Sequence, residues 1–197
     1  MNERQDIVQL IRDNGGIIRA GDAVEKGFSY EYLRRALRRG EITQWDRGFY
    51  TLPDFLDDDM FLLQARYSRG IYSHTTALYL HELSDRTPLI YDMTFPARYN
   101  AHRIEKQLVR SRFDSPKFYG KYRETVKNLF EREITVYSAE RTLCDILRSN
   151  AKVDSSLVSD AYKRWATRPE KNILAITECA RLLGVADKVR SYLEVLL

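Results

Sequence analysis

Four arginines, Arg34, Arg35, Arg38 and Arg39, stand in the run RRALRR at residues 34–39. A guanidinium presents five N–H donors in a planar fork, so it can grip a guanine edge bidentately in the major groove of DNA or neutralise a phosphate. On a helical wheel at about 100° per residue, Leu33, Ala36 and Leu37 share one face with Tyr30 on its shoulder. Glu31, Tyr32 and the four arginines fill the opposite arc. One face suits a core and the other a polyanion. An ordinary solvated helix, with Glu31 and Arg35 paired at i,i+4 for roughly a few tenths of a kcal/mol, would show the same wheel, so the surrounding elements have to decide.

Other chemistry-bearing residues are sparse. The three histidines and two cysteines contain no C-x-x-C or H-x-x-x-H spacing, so no metal site is expected. His74 and His81 lie seven residues apart, two helical turns, which is too far to share an ion. Cys144 and Cys179 sit among apolar helix positions and read as inert packing. No phosphate-cradling glycine loop, dinucleotide fingerprint or nucleophile elbow occurs, so no cofactor and no catalytic residue is assigned. A nuclease needs acidic metal ligands beside a lysine. Asp92 lies on an expected strand, but Glu131 and Glu133 near the later strand lack a following lysine. The chain is expected not to be an enzyme, with a nucleic-acid-processing enzyme targeted by its N-terminal domain as the alternative.

The elements around the arginines favour DNA. Residues 4–14 carry Ile7, Val8, Leu10 and Ile11 at helical spacing and meet a stop at Gly15 and Gly16. After the apolar pair Ile17 and Ile18, a short second helix at 21–24 is broken by Gly27. Ser29 caps a third helix that ends at Gly40. Ile42 to Leu52 then reads as a hairpin turning at Asp46, Arg47 and Gly48. Three helices and a hairpin predict a winged helix-turn-helix whose third helix is the recognition helix. Ser29, Tyr30, Tyr32, Arg34, Arg35, Arg38 and Arg39 are its candidate DNA-binding residues, with Arg47 on the wing. For Tyr30 and Tyr32, packing and base contact both stay open, and Arg19 and Lys26 are not separable from surface charge.

Pro53 and the aspartates Asp54, Asp57, Asp58 and Asp59 mark a boundary, since clustered like charges resist burial. The expected division is therefore 1–52 winged helix, 53–59 linker and 60–197 a second domain. That second domain reads as helix 60–67, strand 71–72, helix 75–83 and strands at 89–95, 108–113 and 134–137. A long loop is expected across 114–128, and a helical bundle from Ala139 onward. The fold class is α+β. At 197 residues, with 44% apolar and 30% charged, the composition suits two small folded domains and excludes disorder. No apolar run approaches the roughly 18 to 20 residues of a spanning helix, and MNERQDIVQL carries charge where a signal peptide needs an apolar stretch. A cytoplasmic protein is expected. No heptad seam is visible, so a monomer is expected in solution. Residues 98–132 hold ten basic and four acidic residues. They could be solvated surface, a second phosphate-binding surface, or a face for an acidic partner.

The order of three segments carries a resemblance. They are Arg47-Gly48-Phe49-Tyr50-Thr51-Leu52 after the helix-turn-helix, Tyr72-Ser73-His74-Thr75-Thr76-Ala77-Leu78 with Leu83-Ser84-Asp85, and Tyr137-Ser138-Ala139-Glu140-Arg141-Thr142-Leu143-Cys144-Asp145. Together with the ending LLGVADKVRSYLEVLL, they make the chain resemble the AbiEi family of antitoxins over essentially its whole length. The resemblance implies a bacterial transcriptional autorepressor whose winged helix binds double-stranded DNA at inverted repeats upstream of its own operon. It implies a C-terminal domain that counters a cognate AbiEii-type nucleotidyltransferase toxin in a type IV system of phage abortive infection, a type in which no stable antitoxin–toxin complex is required. In physical terms, Ser73, His74, Thr75 and Thr76 suit a strand end and helix N-cap, and Glu140, Arg141 and Asp145 an intrahelical ion-pair network.

Overall fold

A computed structural model describes residues 6–56, 58–100, 102, 104 and 108–197. The chain is mixed α+β and divides into two compact units, Met1–Arg66 and Tyr67–Leu197.

In the first unit, α1 (Ile7–Asp13) begins at Asp6, whose carboxylate accepts the Val8 N–H at 3.0 Å. Residues 4 and 5, where the sequence starts this helix, lie outside the described residues. The helix stops because Gly15 and Gly16 take φ of +79° and +94°, which only glycine adopts without strain. Gly16 has a second constraint, since a Cβ there would lie 2.5 Å from the Phe55 ring. Next comes β1 (Ile17–Arg19), then α2 (Ala20–Glu25), α3 (Tyr30–Arg38), β2 (Thr43–Asp46) and β3 (Phe49–Thr51). The three strands form an antiparallel sheet in the order β1-β3-β2, with Ile18 opposite Tyr50 and Gln44 opposite Tyr50 on the other side. The unit is a winged helix-turn-helix. Its wing has one strand more than the sequence predicts, because three residues are too few for a period-2 pattern to show.

Ile7, Ile11, Ile18, Ala23, Leu33, Ala36 and Ile42 are buried together at the centre of this unit. Each large aliphatic side chain there contributes about 1.5 to 3 kcal/mol. Asp58 is also buried, and its Oδ1 accepts the Phe61 N–H at 3.0 Å to cap α4 (Asp59–Arg66). The sequence argument from clustered aspartates misses this, because a capping carboxylate is satisfied by helix N–H groups where a free one would resist burial. Asp57 lies outside the described residues. Arg66 at the end of α4 pairs with Asp46 of β2 at 3.1 Å, which ties this helix to the wing.

The second unit carries a five-stranded sheet built from β4 (Ile71–Tyr72), β5 (Tyr91–Pro96), β6 (Val109–Asp114), β7 (Arg123–Lys127) and β8 (Glu133–Tyr137), in the order β6-β5-β4-β8-β7. The pairs β5·β6 and β4·β8 are parallel, while β4·β5 and β7·β8 are antiparallel. α5 (His74–Leu80) follows β4, and four helices close the unit: α6 (Ala139–Asp145), α7 (Ser155–Ala166), α8 (Ile173–Leu183) and α9 (Ala186–Leu196). Leu143, Cys144, Leu157, Tyr162, Trp165, Ile176 and Cys179 pack between the helices. Burial pushes both thiols above their ordinary range, which leaves them as packing and not as nucleophiles.

β7 lies inside the stretch expected to be a loop. Its sequence RETVK is almost wholly exposed at the sheet edge, so it lacks the apolar alternation by which strands are read. Among the described residues no helix is long and apolar enough to cross a membrane.

Candidate nucleic-acid interface

Ser29 starts α3 by accepting the Tyr32 N–H at 3.1 Å, and Gly40, at φ +71°, lets the chain leave after Arg39. Leu33 and Ala36 bury one face, with Leu37 packed against the same core. Arg34, Arg35 and Arg38 are exposed on the opposite side, and among the described residues no carboxylate pairs with them. Arg39 differs. Its Nε reaches Glu41 Oε1 at 2.8 Å and its Nη2 reaches Oε2 at 3.0 Å. The Glu41 hydrogen bonds and charge hold the Arg39 guanidinium above its ordinary pKa, and they cancel part of its field. The two tyrosines also part company. Tyr30 is 59% exposed, whereas Tyr32 packs against the core with its ring 5.4 Å from that of Phe28.

Arg47 is exposed in the turn between β2 and β3, beside Gly48 at φ +79°. The strand β1 brings a further cation there, because Arg19 pairs in register with Phe49 and the next residue, Ala20, donates its N–H to the Gly48 carbonyl at 2.8 Å. The wing therefore carries Arg19 next to Arg47. Only the register of β1 distinguishes Arg19 from other surface charge, and that register is absent from the local sequence pattern.

This arrangement has the parts of a duplex reader. Among the described residues α3 offers three guanidinium groups that no carboxylate neutralises, and the sheet offers two more, Arg47 in the turn between β2 and β3 and Arg19 on β1. Residues 5–53 match the family described as "Transcriptional regulator, AbiEi antitoxin". The matched stretch holds α1 to β3 and with them every candidate DNA-binding side chain. The AbiEi family is one of antitoxin regulators, and the match lies within the first unit of the chain. Among solved structures, the RV2827C protein from Mycobacterium tuberculosis is similar at a TM-score of 0.53. The match covers 95% of this chain and 79% of that one at 15% identity, and it speaks for the fold alone. A comparison with curated proteins finds no match.

The other sequence candidates settle into structural work. Asp92 is fully buried and accepts from Thr75 Oγ1 and from the guanidinium groups of Arg112, at 3.2 Å, and Arg110, at 3.4 Å. Among the described residues, no group of three or more His, Cys, Asp or Glu side chains could hold a metal. Ser73 occupies the cap position of α5 without capping it, since its Oγ accepts from Thr94 Oγ1 at 2.8 Å. Thr76 Oγ1 accepts the Asp92 N–H at 2.8 Å. These hydroxyls bind β5 and leave the helix end uncapped. Arg141 does pair with Asp145, at 2.8 Å, but Glu140 accepts from the Trp165 indole N–H at 3.0 Å and joins a different helix. In the basic segment, Arg110 and Arg112 are spent on Asp92 and Lys127 on Glu131, while Arg98, Lys117, Lys121 and Arg123 are exposed. Arg103 and Lys106 lie outside the described residues.

Proposed function

We propose that the protein is a sequence-specific repressor of its own operon, binding upstream inverted repeats, and that it is the antitoxin to a nucleotidyltransferase toxin. In this reading α3 enters the major groove with Arg34, Arg35 and Arg38 toward base edges and Tyr30 at its leading end. Arg19, Arg39 and Arg47 rest on the phosphate backbone, and Ser29 sets the helix start. The observation that carries the reading is the unneutralised cationic arc of α3, opposite the buried Leu33 and Ala36. In this reading the unit Met1–Arg66 reads DNA, and Tyr67–Leu197 counters the toxin without a lasting complex, as a type IV antitoxin of phage abortive infection does.

Fluorescence anisotropy with the operon's upstream duplex and a scrambled duplex tests the DNA half. Specific binding at least about a thousandfold tighter than non-specific is expected, and equal affinity for both duplexes would reject it. Growth of cells expressing the neighbouring toxin gene tests the other half. Residues 67–197 should restore growth and residues 1–66 should not, and rescue by the short fragment would overturn this division.

A further inference from the structure

A second site lies in the C-terminal unit, and it does not depend on the DNA reading. A cavity of about 300 Å³ is lined by His74, Thr94, Ser111, Arg112, Arg148 and Asn150, with Asp114 at its wall. Two of the three segments that carry the family resemblance meet around it. One supplies Ser73 and His74. The other supplies Arg141 and Asp145, which anchor the charged wall.

The carboxylates of that wall are already used. Asp114 accepts from Arg141 Nη2 at 2.7 Å and from Arg148 Nη1 at 2.9 Å, and Asp145 accepts from Arg141 Nε at 2.8 Å and Arg148 Nη1 at 3.2 Å. With Asp92 held by Arg110 and Arg112, four guanidinium groups face three carboxylates, an excess of one positive charge. Arg112 also donates from Nη1 to the carbonyl of Asn150 and from Nη2 to that of Ala151, each at 3.0 Å, which fixes the rim.

The donors are not all used. Arg148 makes its bonds through Nη1 alone, so among the described residues Nε and Nη2 have no acceptor. The His74 ring is 4% exposed, at the corner between β4 and α5, where the residue holds φ +48°, a region histidine visits uncommonly. Its Nδ1 lies 3.1 Å from Ser73 Oγ, which itself accepts from Thr94. Burial disfavours the charged ring, and in the tautomer whose Nδ1 accepts the Ser73 proton the hydrogen sits on Nε2. That leaves Nε2–H as a donor without a partner among the described residues. The Ser111 hydroxyl has none either.

A polar cavity whose neighbouring carboxylates are all held by guanidinium groups, with donors vacant and a surplus positive charge, recognises an anion. We infer that it binds a phosphate monoester on a small organic body, with the phosphate oxygens accepting from Arg148 Nε and Nη2 and from His74 Nε2. The volume is at the lower end for ligand pockets. It suits a sugar phosphate or mononucleotide fragment and excludes a folded strand of nucleic acid.

Calorimetric titration of the full chain with ribose 5-phosphate, inorganic phosphate and acetate, at two ionic strengths, tests this. Ribose 5-phosphate should bind saturably at one site per chain, tighter than inorganic phosphate, and more weakly at the higher ionic strength. Arg148→Gln should weaken it by about tenfold or more. Because Arg148 also braces Asp114 and Asp145, Asn150→Asp is the second variant. Asn150 is exposed and its side chain makes no bond among the described residues, so the fold is kept, and the added charge at the rim should cost about fivefold. Absence of saturable binding at millimolar ligand would overturn the proposal. So would acetate binding more tightly than phosphate, or affinity unchanged in Asn150→Asp.

Discussion

Replacing Arg34 and Arg38 together by alanine puts the proposed recognition surface to its most direct test. The two residues are one turn apart on α3, about 6 Å along its axis and roughly two base-pair steps of duplex. Both side chains are exposed, and neither pairs with a carboxylate among the described residues. Their removal should therefore change folding stability by no more than about 0.5 kcal/mol. A bidentate base contact is worth about 1 to 3 kcal/mol, so two such contacts amount to about 2 to 6 kcal/mol, or at least about a thirtyfold loss of affinity for the upstream duplex. If the side chains meet phosphates instead, the loss falls equally on a scrambled duplex, and the log–log salt slope drops by about 0.9 per contact. Anisotropy titrations of both duplexes over a salt series separate the two cases. Arg39→Ala is the internal comparison and should lose less, because Glu41 already occupies that guanidinium. An affinity and a salt slope both unchanged in the folded double variant would show that α3 does not face DNA.

Three further outcomes follow from packing and charge. Gly16→Ala combines φ +94° with a methyl placed against the Phe55 ring; it should destabilise the first unit by more than about 1 kcal/mol, and an unshifted urea midpoint for that unit would contradict the assigned geometry. Arg141→Met leaves the buried Asp114 and Asp145 with Arg148 as their remaining ion-pair partner and should cost the second unit about 3 to 5 kcal/mol; a loss near zero would mean that Arg148 suffices. His74 titrates below its ordinary 6.5 because burial disfavours the imidazolium. The unfolded chain thus binds a proton that the folded chain refuses, so the stability His74 supports is complete above about pH 6.5 and falls as pH drops toward the folded pKa. His74→Asn, which tolerates a positive φ, should flatten that decline in urea midpoints measured between roughly pH 7.5 and 5, and parallel curves would refute it.

How far each feature could be read from the sequence depended on how local its cause is. α3 was legible because its cap, its apolar face and its glycine exit all lie within twelve residues, 29–40. The Arg141–Asp145 pair was legible for the same reason, as an i,i+4 spacing. β1 and β7 were not. One is too short to show a period, and the other has an exposed edge whose residues answer to solvent and not to a core. The donor-rich cavity was beyond sequence reasoning, because His74, Thr94, Arg112 and Arg148 come from four elements or loops and meet only through the parallel register of β5 with β6 and the return of α6. Asp92 illustrates the point. On its strand it could pass for a metal ligand, and only the fold brings Arg110 and Arg112 across from β6 to neutralise it.

The sheet of the second unit is open, yet both of its borders are guarded. β6 shows Arg110 along one margin, and β7 shows Arg123, Glu124 and Lys127 along the other. Backbone groups at such margins would otherwise template the growth of fibrils, and fixed charge there makes strand-by-strand addition of another chain costly. Crowded, freshly translated copies thereby gain protection from sticking to one another before their helices have closed.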